Sequence, residues 1–438
     1  GSSAGGLVGQ SNGTVFNSEA SGDVSIEGDE AGGLIGQSTG DVKNASASGN
    51  ATANGSRAGG LVGQSDGNVT RSSASGDAAA GEDEAGGLIG QSDGAVDTSS
   101  ASGNATANGS RSGGLVGQTN GTVSNSEASG DVLASGDDAG GLLGQSNGAV
   151  TNASASGTVS ADGSRVGGLI GQSDGDVTSS TANGTVNASG NEAGGLVGQS
   201  NAAVKNSSAS GDVSANGNTV GGLLGESNGA VSSSTASGDV AATGPNTGAL
   251  IGNQSSEKAI TDSAASGDVQ VDGNSTGDLV GGAGDSLTLP SVETVTITDE
   301  TNDDSTLTPG DSARVTVETG SGTISSVTVN LSAYDAGEVT LSNAETDNPS
   351  THTGVITVGP NPTEGTGQSL TVNVTSGNGN GIIRTVESTA VSVDTTAPTT
   401  TVETVYNVTV ENGVFVVDGV SQANLTLERG STYRFVVD

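Results

Sequence analysis

A six-residue pattern, Gly-Gly-Leu-Val-Gly-Gln with small variations, returns at every 27th position over the first two thirds of the chain. Its leucine stands at Leu7, Leu34, Leu61, Leu88, Leu115, Leu142, Leu169, Leu196, Leu223 and Leu250. A constant period of about 20 to 50 residues is typical of stacked repeats, in which each unit buries its apolar face against its neighbours. The pattern therefore predicts about ten stacked units in a first domain, residues 1–285.

Residues 31–57 show what one repeat contains. A short apolar run at 34–35 lies between glycines, Val42 follows it, and alternating small residues occupy 45–51 before a turn at 54–56. These runs are too short and too rich in glycine for helices, and no stretch has the helical period of 3.6 residues. We expect three short strands per repeat. One repeat then forms one coil of a β-solenoid, with coils about 4.8 Å apart.

Equivalent residues of successive coils form columns along such a rod. The leucine series and the series that begin at Val8 and Val15 are predicted core columns, and the glutamine series that begins at Gln10 is predicted to form an amide ladder. The next leucine after Leu250 is Leu279, two positions later than the period requires. Terminal repeats are often atypical, so we expect residues 247–285 to hold the last coils and a cap.

The rest of the chain alternates apolar and polar residues at the period of β-strands. Six runs in residues 286–396 predict an immunoglobulin-like sandwich: 294–298, 313–317, 326–331, 354–358, 369–374 and 390–393. Residues 397–438 hold four further runs, which predict a partial β-domain of two hairpins. The fold class predicted for the whole chain is all-β.

Charge narrows the classes of partner. The chain has 49 acidic and 11 basic residues, for a net charge of -38. Nucleic acid and anionic membrane surfaces are disfavoured as partners, because binding phosphate needs lysine and arginine. Cysteine is absent, which excludes disulfides and thiolate metal sites. No apolar run is long enough for a transmembrane helix, and no signal peptide is visible. The chain begins at Gly1 almost inside a repeat and ends at Asp438 without a tail, so we expect a piece of a longer, processed protein.

The same acid excess predicts stabilisation by salt. Between about 0.01 M and 1 M salt the Debye length falls from about 30 Å to about 3 Å, so repulsion among surface carboxylates is progressively screened. We expect the melting temperature to rise across a sodium chloride series, measured by circular dichroism. A melting temperature that stays constant or falls would contradict this.

Candidates for catalysis and metal binding are few. His352, the one histidine, stands in a polar stretch without a nearby acid and nucleophile, and we interpret it as a solvated loop residue. We therefore predict no enzymatic activity. Four acids crowd into the first loop of the predicted sandwich and are candidate calcium ligands, with a solvated acidic loop as the alternative: Asp299, Glu300, Asp303 and Asp304. No other cofactor is indicated.

Sequons of the form Asn-X-Ser/Thr are the most frequent chemical signal. They mark asparagines that can carry N-glycans in a secreted protein, although a chain rich in Asn, Ser and Thr also produces them by chance. The candidates are Asn12, Asn44, Asn50, Asn54, Asn68, Asn104, Asn108, Asn120, Asn152, Asn183, Asn187, Asn206, Asn253, Asn274, Asn330, Asn373, Asn407 and Asn424.

One repeat position carries charges of alternating sign. Reading successive copies, this charge ladder consists of Glu30, Arg57, Glu84, Arg111, Asp138, Arg165 and Glu192. Coils about 4.8 Å apart would place each charge between two of opposite sign. The pattern predicts one exposed line of ion pairs within about 4 Å, which would set the register of the coils more than their strength.

The repeat core Gly-Gly-Leu-Val-Gly resembles the GLUG motif, which occurs in tandem in secreted and cell-surface proteins of bacteria and archaea. The resemblance covers residues 4–252. Residues 286–396 resemble the Ig-like modules of microbial surface proteins. The tail, with Asn412-Gly413-Val414-Phe415 and Leu427-Glu428-Arg429-Gly430, is similar to a cupredoxin-like surface module, but it lacks the histidine, cysteine or methionine that copper needs.

These resemblances imply an extracellular location and an architecture, and no chemistry. Our first hypothesis is a non-catalytic structural protein of a salt-adapted archaeal cell surface: a stalk, surface-layer or filament subunit. Its expected partners are copies of itself, other cell-surface proteins and covalent N-glycans. The alternative hypothesis is an adhesin or viral-fibre-like module that binds a ligand.

Overall fold

A computed structural model shows a β-solenoid followed by further β-structure. It describes residues 2–254, 258, 260–271, 274–276, 280–281, 292–301, 306–319, 324–345, 348–366, 368–376, 381–387, 392–393, 404–411, 414–417, 420–421 and 433–437. Apart from one 3-10 turn at Ser332–Tyr334, all regular elements in these residues are β-strands. The predicted all-β class and the solenoid of about ten coils are confirmed.

Each coil contributes one strand to each of five parallel sheets, numbered here in chain order. In one coil the strands are Glu30–Gly32, Ile35–Ser38, Val42–Lys43, Ser46–Ala47 and Ala51–Ala53. Sheet 1 runs from Ser3–Gly5 to Asn246–Gly248, sheet 2 from Val8–Ser11 to Ile251–Gln254, sheet 3 from Val15–Phe16 to Ile260–Thr261, sheet 4 from Glu19–Ala20 to Ala264–Ala265, and sheet 5 from Val24–Ile26 to Val269–Val271. Up to Gln254, the paired strand residues lie opposite their equivalents in the next repeat, as in Arg57 opposite Glu30.

The expected three strands per coil are wrong, because the chain turns more often than its apolar pattern suggests. The residue after each sheet-3 strand is left-handed in all ten coils, with φ between 48° and 53°. These corner residues are Asn17, Asn44, Arg71, Thr98, Asn125, Asn152, Ser179, Asn206, Ser233 and Asp262. The corner separates sheets 3 and 4, whose strands are only two residues long. Asparagine and aspartate tolerate this conformation better than other non-glycine residues.

One continuous hydrophobic cluster fills the solenoid from Val24 to Val280. The leucine column and the valines of sheet 3 are fully buried from the second coil onward, as the pattern predicted. Serines such as Ser72 and Ser99 form a further buried column. The Ser99 hydroxyl accepts the Ser72 backbone N–H at 3.3 Å and donates to the Asp97 carbonyl at 2.9 Å. Hydrogen bonds therefore link the coils inside the wall as well as along the strands.

The last coil of the solenoid is two residues longer than the others, as the spacing from Leu250 to Leu279 predicted. Val231 pairs with Ile260 rather than with position 258, so the two additional residues lie between sheets 2 and 3. Asn274–Thr276 then pairs antiparallel with the last strand of sheet 5 and ends that sheet. Leu279 lies outside the described residues.

Seven longer strands follow. They are Val292–Asp299, Ser312–Thr319, Ile324–Asn330, Glu338–Glu345, Asn348–Thr357, Ser369–Ser376 and Gly381–Glu387, with short strands at Thr306–Leu307, Gly365–Thr366 and Ser392–Val393. The pairing order is first–second–fifth–fourth and third–sixth–seventh, with the third and fourth also paired. The two sheets of an immunoglobulin sandwich have the orders first–second–fifth–fourth and third–sixth–seventh. The pairing of the third with the fourth strand is an addition to that pattern. The assignment to that class stays a prediction.

Two further pairings concern the chain after the solenoid. The seventh of these strands pairs with Ala264–Ala265, so sheet 4 of the solenoid continues into the following β-structure. In the tail, Thr404–Glu411, Val414–Val417 and Val420–Ser421 form an antiparallel meander. Tyr433–Val437 pairs parallel to Thr404–Glu411 rather than in the predicted second hairpin.

Candidate functional site

The functional features of this chain are columns of side chains along the solenoid. Equivalent residues of successive repeats lie next to each other in the sheets. A residue type that recurs at one repeat position therefore forms a row of side chains along the rod. In the described part of the chain, no group of three or more His, Asp or Glu side chains is arranged to hold a metal ion. That part of the chain also contains no helix that is both long and apolar enough to cross a membrane.

The charge ladder lies along the start of the sheet-1 strands. Arg57 Nη1 is 3.0 Å from Glu30 Oε1, and Arg57 Nε is 3.6 Å from Glu84 Oε2. Arg111 Nη2 lies 2.8 Å from Glu84 Oε1. Farther along the rod, Arg165 Nε pairs with Asp138 Oδ1 at 2.5 Å. The expected line of ion pairs is broken at two steps, because among the described residues no ion pair within 4 Å joins Arg111 to Asp138 or Arg165 to Glu192. Arg111 and Arg165 lie near Asp83 and Asp137 of the preceding coil instead.

The ladder is not an exposed line, and this corrects the sequence-based expectation. The side chains of Glu84 and Asp138 are only 6% and 7% exposed, while the arginines are a quarter to a third exposed. The neighbouring glutamine column shields them, since Arg57 Nη1 also donates to Gln64 Oε1 at 3.4 Å. Glu84 and Asp138 are buried, whereas Glu30 and Glu192 are half-buried. The ion pairs of Glu84 and Asp138 therefore lie in a medium of lower dielectric than the surface.

Burial changes the ionisation of the ladder acids. Desolvation raises the pKa of Glu84, and the nearby Arg111 and Arg57 only partly oppose it. The pKa of Asp138 is raised in the same way, with Arg165 as the opposing charge. Desolvation also raises the pKa of Glu192, and repulsion from Glu226 adds to it. All three carboxyls therefore bind protons more readily in the folded chain than in the unfolded chain.

This gives a stability profile that rises on mild acidification. A carboxyl whose folded pKa is raised contributes its stability below that pKa and loses it as the pH rises. We expect the urea midpoint to increase as the pH falls from 7 toward about 4.5, near the unfolded pKa of glutamate. Loss of part of the net charge acts in the same direction. Urea titrations at constant salt measure this, and a midpoint that falls steadily from pH 7 to pH 5 would contradict it.

The sequence analysis missed a second column, at the entry to the sheet-5 strands. There Asp or Asn side chains cap the next coil: Asn50 Oδ1 accepts the Asp77 backbone N–H at 2.9 Å, and Asp77 Oδ1 accepts the Asn104 N–H at 2.8 Å. The same contact recurs from Asp131 to Thr158. The recurrence of Asp and Asn at the same place in successive repeats was the available signal.

The predicted glutamine ladder is present in segments. Gln37 Nε2 donates to Gln64 Oε1 at 3.3 Å, and Gln118 Nε2 donates to Gln145 Oε1 at 3.2 Å. Gln91 lies between these segments, and its Oε1 is buried without a hydrogen bond to a described residue. The ladder therefore links some coils and not others.

His352 is not the solvated loop residue expected from the sequence. It lies in the strand Asn348–Thr357, opposite Val317 and Asn343, and is 5% exposed. The residues before and beside it are polar, so the predicted run 354–358 marked only the end of this strand. His352 is therefore a buried histidine within a sheet.

The candidate calcium ligands are only partly described. Asp299 is buried, and its Oδ1 accepts the Thr301 backbone N–H at 2.8 Å. Glu300 pairs with Arg314 at 2.5 Å. Asp303 and Asp304 lie outside the described residues, so the calcium site stays a prediction.

Most of the sequon asparagines in the solenoid are exposed, as acceptors of a glycan must be. Asn253 and Asn373 are half-buried, and the side chains of Asn274, Asn407 and Asn424 lie outside the described residues.

A shallow groove of about 510 Å³ runs along sheet 4 and is lined by serines and alanines such as Ser73, Ala74 and Ser100. The groove lining includes no aromatic side chain of the kind that sugar-binding clefts use.

Comparison with known proteins agrees with this architecture. The family model of the GLUG motif matches residues 162–187 and 189–214, each of which spans about one coil. The GLUG motif is thus found in two of the stacked repeats of the β-solenoid, where the recurring Gly-Gly-Leu-Val-Gly core indicated it. No solved structure matches the chain.

The chain is also similar to "Halomucin" of Haloquadratum walsbyi (strain DSM 16790 / HBSQ001). The two are 41% identical over 163 residues, which is 33% of this chain and 2% of the relative. The chain therefore spans a small fraction of the length of that protein.

Proposed function

We propose that this chain is a non-catalytic structural segment of a prokaryotic cell-surface protein, a stalk, surface-layer or filament subunit adapted to high salt. The observation that carries the proposal is the unbroken stacking of ten coils, with all five sheets continuous along the rod. Such a rod holds two ends at a fixed distance, which is a mechanical function. The similarity to halomucin supports an extracellular surface location.

The distribution of polar groups supports the same proposal. The columns that run along the rod consist of side chains that bind the next coil, as Asn50 and Asp77 do, and such contacts stabilise a scaffold. The negative net charge supports solubility and suits a salt-rich exterior.

Negative-stain electron microscopy of native surface material, labelled with an antibody against the chain, tests the proposal. We expect ordered lattices or fibres that contain the labelled chain. Isolated rods attached to a foreign ligand or host surface would contradict the structural assignment and favour an adhesin. Label found only inside cells would contradict the surface location.

A further inference from the structure

Two identical heptapeptides carry two sequons each. Residues 50–56 and 104–110 both read Asn-Ala-Thr-Ala-Asn-Gly-Ser, and they occupy the same place in coils that are two repeats apart. A difference between them can therefore come only from the neighbouring coils. The structure shows such a difference at the second asparagine of each pair.

The first asparagines are alike. Asn50 and Asn104 are exposed, and each uses its Oδ1 to accept the backbone N–H of the next coil, at 2.9 and 2.8 Å. Neither Nδ2 donates a hydrogen bond to a described residue. In both residues the Oδ1 atom is hydrogen-bonded to the next coil and the Nδ2 atom is not. A glycan attached to Nδ2 therefore leaves the contacts between coils intact. Thr52, two residues on, shares the outward side of the strand with Asn50 because side chains alternate along a strand.

The second asparagines differ. Asn54 Nδ2 donates to Glu27 Oε2 of the preceding coil at 2.6 Å. The residue before Asn108 in the same column is Gly81, which has no side chain to offer. Asn108 is exposed, and its Nδ2 has no acceptor among the described residues. The Ser56 hydroxyl of the Asn54 sequon also donates to Glu82 Oε2 at 2.9 Å. Hydrogen bonds to carboxylates therefore hold one of these two sequons of identical sequence.

Other sequons are held in the same manner as Asn54. Asn120 Nδ2 donates to Asp93 Oδ1 at 2.6 Å, and Asn152 Nδ2 donates to Asn125 Oδ1 at 2.7 Å. A glycan on one of these Nδ2 atoms would replace an amide hydrogen and require the nitrogen to point outward. The hydrogen bond from that nitrogen to the preceding coil would then be lost. The structure thus separates sequons with a free Nδ2 from sequons whose Nδ2 stabilises the stack.

We propose that Asn50, Asn104 and Asn108 accept N-linked glycans on the folded rod, and that Asn54, Asn120 and Asn152 do not. The glycosyl donor is a phosphate-linked oligosaccharide presented by a transferase. A bond forms between Nδ2 and the sugar C1, the bond from C1 to the phosphate oxygen breaks, and the phosphate leaves with the electron pair. The amide proton passes to a base of the transferase.

The test uses the full chain, produced without glycans and folded. It is incubated with a purified oligosaccharyltransferase and a lipid-pyrophosphate-linked oligosaccharide, and the occupancy of each sequon is measured by glycopeptide mass spectrometry. We expect occupancy at Asn50, Asn104 and Asn108 at least tenfold above that at Asn54, Asn120 and Asn152. The urea-unfolded chain should lose this preference, because its sequons are all free. Equal occupancy of Asn54 and Asn108 on the folded chain, or no transfer to it at all, would overturn the proposal.

A single substitution separates the hydrogen bond from other causes. Glu27→Ala removes the acceptor of Asn54 and should raise the occupancy of Asn54 to that of Asn108. The control is Glu19→Ala, which removes an exposed glutamate of the same coil that lies opposite Ser46 and not beside the Asn54 sequon. An unchanged circular dichroism melting curve confirms that both variants fold. If Asn54 stays unoccupied in folded Glu27→Ala, the hydrogen bond is not the determinant and the proposal fails.

Discussion

Replacing Arg111 by methionine is expected to lower the free energy of unfolding by about 3 kcal/mol at pH 7. This value is the lower end of the range for breaking a buried ion pair. We expect the lower end because Arg57 Nε, which lies 3.6 Å from Glu84 Oε2 in the parent structure, still partly compensates the carboxylate. The cause is the uncompensated carboxylate rather than the loss of attraction. Urea denaturation followed by circular dichroism measures the change.

Two comparisons isolate this cause. The double variant Glu84→Gln/Arg111→Met buries no charge at this position and should recover most of the lost stability. The single variant should also recover stability near pH 4.5, where the already raised pKa of Glu84 favours its protonation. An Arg111→Met variant that is as stable as the parent at pH 7 would contradict a ladder that orders the coils.

Replacing Gly103 by alanine is expected to destabilise the solenoid by at least about 3 kcal/mol, the upper end for overpacking. A Cβ atom there would lie 2.0 Å from the backbone oxygen of Gly76 in the coil before. The clash is with backbone, so no side-chain rotation relieves it, and the two coils must separate. Hydrogen exchange should show reduced amide protection around residues 76–104, as stability in stacked repeats depends on nearest-neighbour interfaces.

The first coil provides the matched control. Gly22 is the equivalent of Gly103, and a Cβ atom on it would meet no heavy atom within 4 Å. Gly22→Ala should therefore change the free energy of unfolding by no more than about 0.5 kcal/mol. If both variants lost the same stability, close stacking between coils would not explain the glycine column.

The period of the repeats made the solenoid predictable. A leucine at every 27th position and a valine at a fixed distance after it define both the coil and its register, because burial in a stack requires equivalent residues to meet. The charge ladder followed from the same logic. Its burial did not, since the exposure of Glu84 depends on the glutamines and turn residues of adjacent coils, which the sequence of one column does not show.

The missed features are those that an apolar pattern does not mark. The left-handed corner at Asn44 depends on the φ angle of that single residue. The strands on either side of it have two residues each, which is too short for an alternation of apolar and polar residues to be visible. Thr98 and Arg71 adopt the same conformation in the coils between Asn44 and Asn125. The strand Glu338–Glu345 is largely polar, and the sequence did not predict it. Of the strand Asn348–Thr357 the sequence predicted only the end, as the run 354–358, because the residues before it, which include His352, are polar.

The most direct test of the ten-coil rod is a distance between two spin labels. The chain has no native cysteine. Ser48→Cys and Ser237→Cys place labels at equivalent exposed positions seven coils apart, so double electron–electron resonance should give a narrow distribution centred on about 34 Å, from the strand spacing. Deleting residues 112–138 should shorten that distance to about 29 Å. A broad distribution, or a distance that the deletion leaves unchanged, would contradict the model of one repeat per coil.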